Sequence, residues 1–390
     1  MLARRHTLAL SAEILSLAAL ALACPAHAQA QAPTPPLADT TFGFPMPGDY
    51  VTPATAASAG LALADRWLGS SVYENPAARM MRGIEVTPVV QRTSRQDLSS
   101  SNRDFEQTFA YFDLAGLALS LPAGQWGLVL YGWQPVLRLE EQTYTTGPQI
   151  APAQVHQLDT QREVRAGGAI SRDLGAMRLG VAGEWVHRDD KYEAHTQSGI
   201  GQNDIVTSFS GDGYGVGGGV TFAKDTSRVW GYAVGGAVHY SADIPLTGTV
   251  SENLAVFDTT YDFTATRGKE WSGGVSAKTM VSPATWVVLG LSGRSGQNWD
   301  GFGVATTSGG GWSAGLDWKD AELPWGARFG VGGEWNHGAL EKQTGLVAIG
   351  FTYVSNGLVM DVALFHRNLD REGFAHSADN RALLTVKVGF

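Results

Sequence analysis

Cysteine is nearly absent from this chain: one residue, Cys24, in 390. It falls in a segment read below as a cleaved leader, so the mature chain is expected to hold no disulfide framework, cysteine-ligated zinc or thiol nucleophile. Charge is also sparse. Asp, Glu, Lys and Arg together make 17% of the residues, below the ~25% of ordinary soluble domains. The net charge of -9 speaks against nucleic acid as a partner. Beyond the leader there is no run of ~18 apolar residues of the kind that crosses a bilayer as a helix. Catalytic signatures are missing too: no G-x-S-x-G elbow and no H-E-x-x-H. The glycine-rich GDGYGVGGG stretch at 211–219 is followed by neither Lys-Ser/Thr nor a helix, as a phosphate loop requires. The chain therefore reads as a non-enzyme, with no cofactor and no metal.

Export is expected from the N-terminus. Arg4 and Arg5 precede the apolar stretch ILSLAALALA, and Ala26-His27-Ala28 forms an A-x-A cleavage site. That makes residues 1–28 a signal peptide. Residues 29–82 form a second segment. Its first part is broken by Pro33, Pro35, Pro36, Pro45, Pro47 and Pro53, which rule out regular structure for most of it. The alanine-rich ATAASAGLALADRWLG that follows is compatible with a short helix, ended by Asn75-Pro76.

From residue 83 to 390 the texture is constant. In MRLGVAGEW, Met177, Leu179, Val181 and Trp185 alternate with Arg178, Gly180, Ala182 and Glu184. ARFGVGGEW repeats the sentence: Ala327, Phe329, Val331 and Trp335 against Arg328, Gly330, Gly332 and Glu334. Period two means strand. An arginine on a mid-bilayer lipid face costs ~2–4 kcal/mol, whereas in a wet bore it costs little. The large apolar face is therefore expected toward lipid, with Arg178, Glu184, Arg328 and Glu334 as lumen-facing charges. A soluble sandwich would reverse the two faces, and alternation alone does not separate the cases. Connection lengths and aromatic placement do. Fourteen candidate strands are joined alternately by short links (PAG, DLG, KDTS, SPA, SNG) and long ones (139–160, 189–210, 242–266, 369–379). That is the pattern of outer-membrane barrels. Trp126, Trp185, Trp230, Trp312, Trp325 and others sit near strand ends, where interfacial rings belong.

The expected fold class is all-β: a transmembrane antiparallel β-barrel of about fourteen strands. The chain ends LLTVKVGF, and Phe390 is expected to be the C-terminal assembly signal read by the barrel-assembly machinery. Its strand would pair with the first to leave no edge. Mid-strand glycines are expected to make room inside the bore or to let strands bend. Pro135, in LYGWQPVLRL just after Gly132, cannot donate to a ladder and forces a bulge or kink, unless it lies above the membrane at a strand end. His187 and His337 each follow Glu-Trp-x and are read as interfacial residues rather than metal ligands.

The stretch SAGLALADRWLGSSVYENPAA, with Asn75, Pro76 and Ala77, resembles the N-terminal segment of the FadL-type outer-membrane transporters of long-chain fatty acids and aromatic hydrocarbons. The resemblance implies a fourteen-stranded barrel whose N-terminal segment folds inward as a plug, or hatch, carrying the Asn-Pro-Ala motif. It implies a hydrophobic small-molecule ligand, outer-membrane lipid and lipopolysaccharide as surroundings, and a kink in the third strand, here at Gly132 and Pro135, that opens the wall sideways. Taken on its own, Asn75-Pro76 is equally a turn that launches the first strand. A non-transporting scaffold or receptor barrel and a general porin remain the alternative functions.

Overall fold

The computed structural model describes residues 72–78, 82–97, 105–146, 153–198, 201–224, 229–254, 257–301, 304–306, 308–319, 322–336, 341–371 and 374–389. The leader, the proline-rich stretch, the expected helix and Phe390 lie outside them. The described chain from Gly83 on is almost entirely strand. The strands are β1 (Gly83–Asp97), β2 (Phe105–Ala123), β3 (Trp126–Thr146), β4 (Ala153–Asp173), β5 (Met177–Ser198), β6 (Gly201–Lys224), β7 (Tyr232–Ser241), β8 (Ile244–Leu254) and β9 (Phe257–Arg267). They continue with β10 (Glu270–Ser282), β11 (Thr285–Arg294), β12 (Gln297–Asp300), β13 (Val304–Thr306), β14 (Gly309–Lys319), β15 (Trp325–Asn336), β16 (Glu341–Ser355), β17 (Leu358–Arg371) and β18 (Phe374–Val388).

All belong to one antiparallel sheet, and β1 pairs with both β2 and β18, so the sheet closes on itself. Fourteen staves make the wall, because β7–β8, β9–β10, β11–β12 and β13–β14 are each one long strand broken at about the same height. β6 shows the continuity. It pairs with β7 from Lys224↔Tyr232 to Gly215↔Ser241, then with β8 from Ser210↔Thr247 onward.

The pleat sorts the side chains as the alternation requires. Leu179, Val181, Val216, Leu289, Leu316, Phe329, Ile349 and Phe351 are exposed on the outside, while Arg178, Glu184 and Arg328 are buried inside. Phe329 is 47% exposed and its neighbour Arg328 7%, which is the reverse of a soluble sandwich. Exposed rings bound the apolar band: Trp126, Trp325 and Trp230 at the end with the short turns, Trp185, Tyr214, Trp271 and Trp312 at the other. Rings with polar tips favour such interfaces.

Two sequence expectations change. The segments 139–160, 189–210 and 242–266, read as loops, are strand over most of their length, and β18 begins at Phe374 inside the expected 369–379 loop. Above the bilayer the outer face of the sheet meets water and not lipid, so strands persist there without the regular outward apolar face that advertises them. The strand expected to begin at 229 instead begins at Tyr232, because Trp230 sits in the turn with φ 70°.

One seam is interrupted. β2 pairs with β3 only from Ala123↔Trp126 to Gly116↔Trp133. Among the described residues, 105–114 of β2 pair with β1 but not with β3, and 136–146 of β3 pair only with β4. The β3–β4 register shifts between Trp133 and Val136, where Gln134 and Pro135 together face one residue of β4. Proline has no N–H for the ladder, so a bulge here is its ordinary consequence. A shorter loss of pairing occurs where β15 and β16 part above Gly332↔Leu346.

Candidate functional site: the bore and its seam

Residues 72–78 run down the inner wall. Asn75 folds the segment back on itself. Its Oδ1 accepts from the Ala77 amide at 2.9 Å, and its carbonyl accepts from the Ala78 amide at 2.8 Å. The wall grips this turn from several strands. Asn75 Nδ2 donates to the Val220 carbonyl (3.3 Å), Thr221 Oγ1 to Ala77 O (3.3 Å), Arg178 Nη1 to Ala78 O (3.0 Å), and His239 Nε2 lies 2.7 Å from Glu74 O. Asn75 and Ala77 have no accessible surface.

Glycine makes this contact possible. A Cβ at Gly180 would overlap the Pro76 carbonyl and stand 2.6 Å from the Ala77 nitrogen; one at Gly219 would overlap Asn75 Oδ1 and stand 3.1 Å from Pro76 Cδ. Gly180 and Gly219 are directly opposite on β5 and β6. The mid-strand glycines thus form a groove that the Asn-Pro-Ala turn occupies.

Higher in the bore, Tyr73 stacks face to face on Trp133 (5.3 Å, 4°) and meets Tyr131 edge-on (5.1 Å). Its hydroxyl lies 3.1 Å from Leu117 O and 3.4 Å from Gly132 O, the carbonyls of a directly opposed pair next to the last one of the β2–β3 seam. Gly116 clears the approach, since a Cβ there would stand 3.0 Å from that hydroxyl. The Arg165 guanidinium also lies over the ring of Trp133, at 5.2 Å.

Charge fills the remaining inward positions. Glu184 accepts from Tyr131 (2.9 Å) and pairs with Arg165 (3.3 Å), which also holds Glu163 (2.7 Å). Glu163 pairs in turn with Arg267 (2.9 Å), and Arg188 joins Asp190 (2.7 Å) beneath the ring of Trp299. Glu163 is directly opposite Arg188, three positions past Trp185, and so lies beyond the membrane-spanning band. Burial would raise its pKa, but Arg267, Arg165 and Arg188 outweigh burial and hold it at about 2. Burial draws the Arg267 pKa down, yet a guanidinium stays protonated at any pH a protein meets, so the Glu163–Arg267 pair is ionic. Above it, Val186, Phe209, Ile244, Leu246 and Trp299 pack as an apolar cap. Near the opposite end, Arg328 pairs with Asp361 (2.7 Å) and Asp317 (3.5 Å), and Thr352 donates to Asp361 (3.0 Å).

Of the residues singled out from sequence, Asn75, Pro76, Ala77 and Arg178 come together in the groove, and Glu184 joins the ring stack above them. Arg328 belongs to the separate lower network. Gly132 and Pro135 flank the place where the seam ends. Glu334 lies on β15, but its side chain and Phe390 fall outside the described residues. His187 stacks on Trp185 and meets Asp212 at 2.9 Å; His337 is not described. No arrangement of His, Cys, Asp and Glu suited to a metal ion occurs among the described residues. Sequence reasoning missed Tyr73, Trp133, Glu163, Arg188 and Arg267. Glu163 and Arg165 alternate in phase with the small inward residues of β4, which was the available signal.

A closed sheet with a lipid-facing apolar band, two aromatic girdles and a charged interior is an outer-membrane β-barrel. No protein-family model and no curated protein matches the chain. Its fold is shared with solved structures that include toluene transporters. The Ralstonia pickettii toluene transporter TbuX is similar over 87% of this chain and 98% of its own, with TM-score 0.62 and 12% identity. A Pseudomonas aeruginosa FadL homologue is similar over the same shares, with TM-score 0.63 and 12% identity. The P. putida toluene transporter TodX is similar over 86% and 97%, with TM-score 0.61 and 12% identity.

Proposed function

We propose that this barrel passes hydrophobic small molecules across the outer membrane and releases them sideways through the wall between β2 and β3, with the N-terminal segment around Asn75-Pro76-Ala77 serving as the plug. One observation carries the lateral route: pairing of β2 with β3 ends at Gly116↔Trp133, beside the bulge at Gln134-Pro135. The height of that point favours exit into lipid. Trp133 is seven positions above the girdle residue Trp126. At a rise of ~3.3 Å per residue and a tilt of ~40°, that is ~18 Å up an apolar band ~25 Å tall. On the ladder Trp133 is level with Arg165 and Val186, next to the girdle residue Trp185, so the interruption starts at the outer edge of the hydrocarbon. A solute leaving there enters lipid without crossing water, which is the favourable course for apolar surface. Inward-facing Ala115, Leu346, Phe365 and Leu383 form an apolar patch that runs from β2 across the inner wall to β18, β17 and β16. The toluene-transporter neighbours support the same class of cargo, and a turn seated in the bore disfavours a steadily open porin.

A cysteine pair at Ala115 and Gln134, the positions next above the last paired residues, tests the route in a chain whose single native cysteine is Cys24. Oxidation should depress uptake of a neutral monoaromatic by whole cells, and a reductant should restore it. Pro135→Val, which returns a donor to the ladder, should lower uptake in the same direction without unfolding the barrel. Uptake that is indifferent to both changes would refute lateral release.

A further inference from the structure

We infer that Tyr73 couples the N-terminal segment to the β2–β3 seam, so that the seating of one sets the closure of the other. The inference rests on the reading that the wall opens at this seam.

Tyr73, in the inner segment, reaches both strands of the seam with one hydroxyl. Its hydroxyl addresses Leu117 O on β2 and Gly132 O on β3. A hydroxyl carries one proton and donates to one carbonyl at a time, so these two acceptors compete for it. That is possible only while the strands stay close enough for both to be in reach. The ring reports the same geometry, since it lies on Trp133, the last paired residue of β3. Spreading the seam moves Trp133 and Gly132 away from Leu117 and removes part of what Tyr73 holds. Lifting the segment removes a clasp from the foot of the seam. Two sites that share contacts in this way bias each other by the same free energy in both directions.

Tyr73 is firmly placed for this role. It is 3% exposed, and the chain two residues on is fixed by Asn75 in the glycine groove. Arg165, whose guanidinium lies over Trp133, pairs with Glu184, which Tyr131 also contacts. The rings are therefore backed by a salt bridge, and a displacement of Tyr73 is transmitted to Trp133 instead of being absorbed around it.

The test uses the full chain in lipid nanodiscs with the Ala115→Cys/Gln134→Cys pair, alone and with Tyr73→Phe, which keeps the ring and deletes the hydroxyl. Amide exchange of the peptide covering residues 72–78 is read with the disulfide formed and with it reduced. Closing the seam should slow exchange of this peptide about fivefold with Tyr73 present, the effect of one net hydrogen bond, and should have little effect with Tyr73→Phe. In the reverse direction, spin labels at Ala110→Cys and Leu139→Cys, on the unpaired stretches, should show a broader distance distribution with Tyr73→Ala than with Tyr73. Equal slowing in the Tyr73 and Tyr73→Phe proteins, or none in either, overturns the coupling, as does an unchanged distance distribution with Tyr73→Ala. Heat-dependent gel migration checks that each variant is a folded barrel. Neither readout involves solute passage, so a failure of uptake refutes the proposed function and leaves this test standing.

Discussion

Replacing Gly180 and Gly219 together by alanine should unseat residues 72–78 and leave the wall intact. Each new methyl meets the Asn75-Pro76-Ala77 backbone or the Asn75 amide, not the end of a pliable side chain. Overpacking of this kind costs ~1–3 kcal/mol per site. Against it stand the bonds from the wall to the segment, donated by or aimed from Tyr73, Asn75, Thr221, Arg178 and His239. At ~1 kcal/mol net for each, they are worth roughly 5 kcal/mol. One alanine is therefore too little to displace the segment, and should only speed its amide exchange, by about 10–100-fold. Two together approach parity, and a large fraction of molecules should show the segment unseated. Exchange mass spectrometry on the 72–78 peptide measures this, and heat-dependent migration shows whether the barrel survives. If the double variant is a folded barrel with the protection of the parent, the groove does not hold the segment in the way described.

Other outcomes follow from the same geometry. Glu163→Gln strips Arg267 of its closest carboxylate and Arg165 of one of its two; breaking a buried pair costs ~3–5 kcal/mol, so the urea midpoint followed by Trp299 fluorescence should drop. Acid should act on the same residue. The folded pKa of about 2 lies below the ordinary 4.5, so the stabilisation, roughly 3 kcal/mol, is complete above pH 4.5 and is lost as pH falls toward 2. A titration of the rim that shows loosening above pH 5 and none below would contradict this. Val181→Arg, at the middle of the outer apolar band and 63% exposed, should lower folding stability in vesicles by ~2–4 kcal/mol, whereas Gly215→Ser, on the inward side of β6, should change it by much less.

Much of the wall was legible because the bilayer imposes one rule on every stave: apolar outward, small or charged inward. MRLGVAGEW and ARFGVGGEW state that rule twice, and the structure makes both of them wall strands, on β5 and β15, with Val181 and Phe329 outside and Arg178 and Arg328 within. Above the girdles the rule lapses. The residues from Asp189 to Ser198, from Ile244 to Leu254 and from Phe257 to Arg267 are strand without a lipid face, and their largely polar text reads as loop. The bore was legible only in outline. Glycine in β5 and β6 announces room for something, but not that Gly180 and Gly219 face each other across one strand pair and admit one turn. The Tyr73–Trp133 stack joins residues 60 positions apart, and nothing local to either marks the partner. Pro135 was informative by itself, since a missing N–H in mid-strand asks for an interruption of the ladder, and the β3–β4 register shifts there.

The breaks between β7 and β8, β9 and β10, β11 and β12, and β13 and β14 divide the molecule into a cylinder and a collar. The cylinder's register is complete below them, from Lys224↔Tyr232 and Thr279↔Tyr232 up to Ser241. The collar's hairpins carry their own ladders, such as Ile244↔Arg267 through Leu254↔Phe257. Insertions, deletions or wholesale exchange in the collar need not disturb the cylinder's hydrogen bonding. What meets the outside world, whether phage, antibody or incoming solute, can therefore be redrafted under selection while the part embedded in lipid keeps its shape.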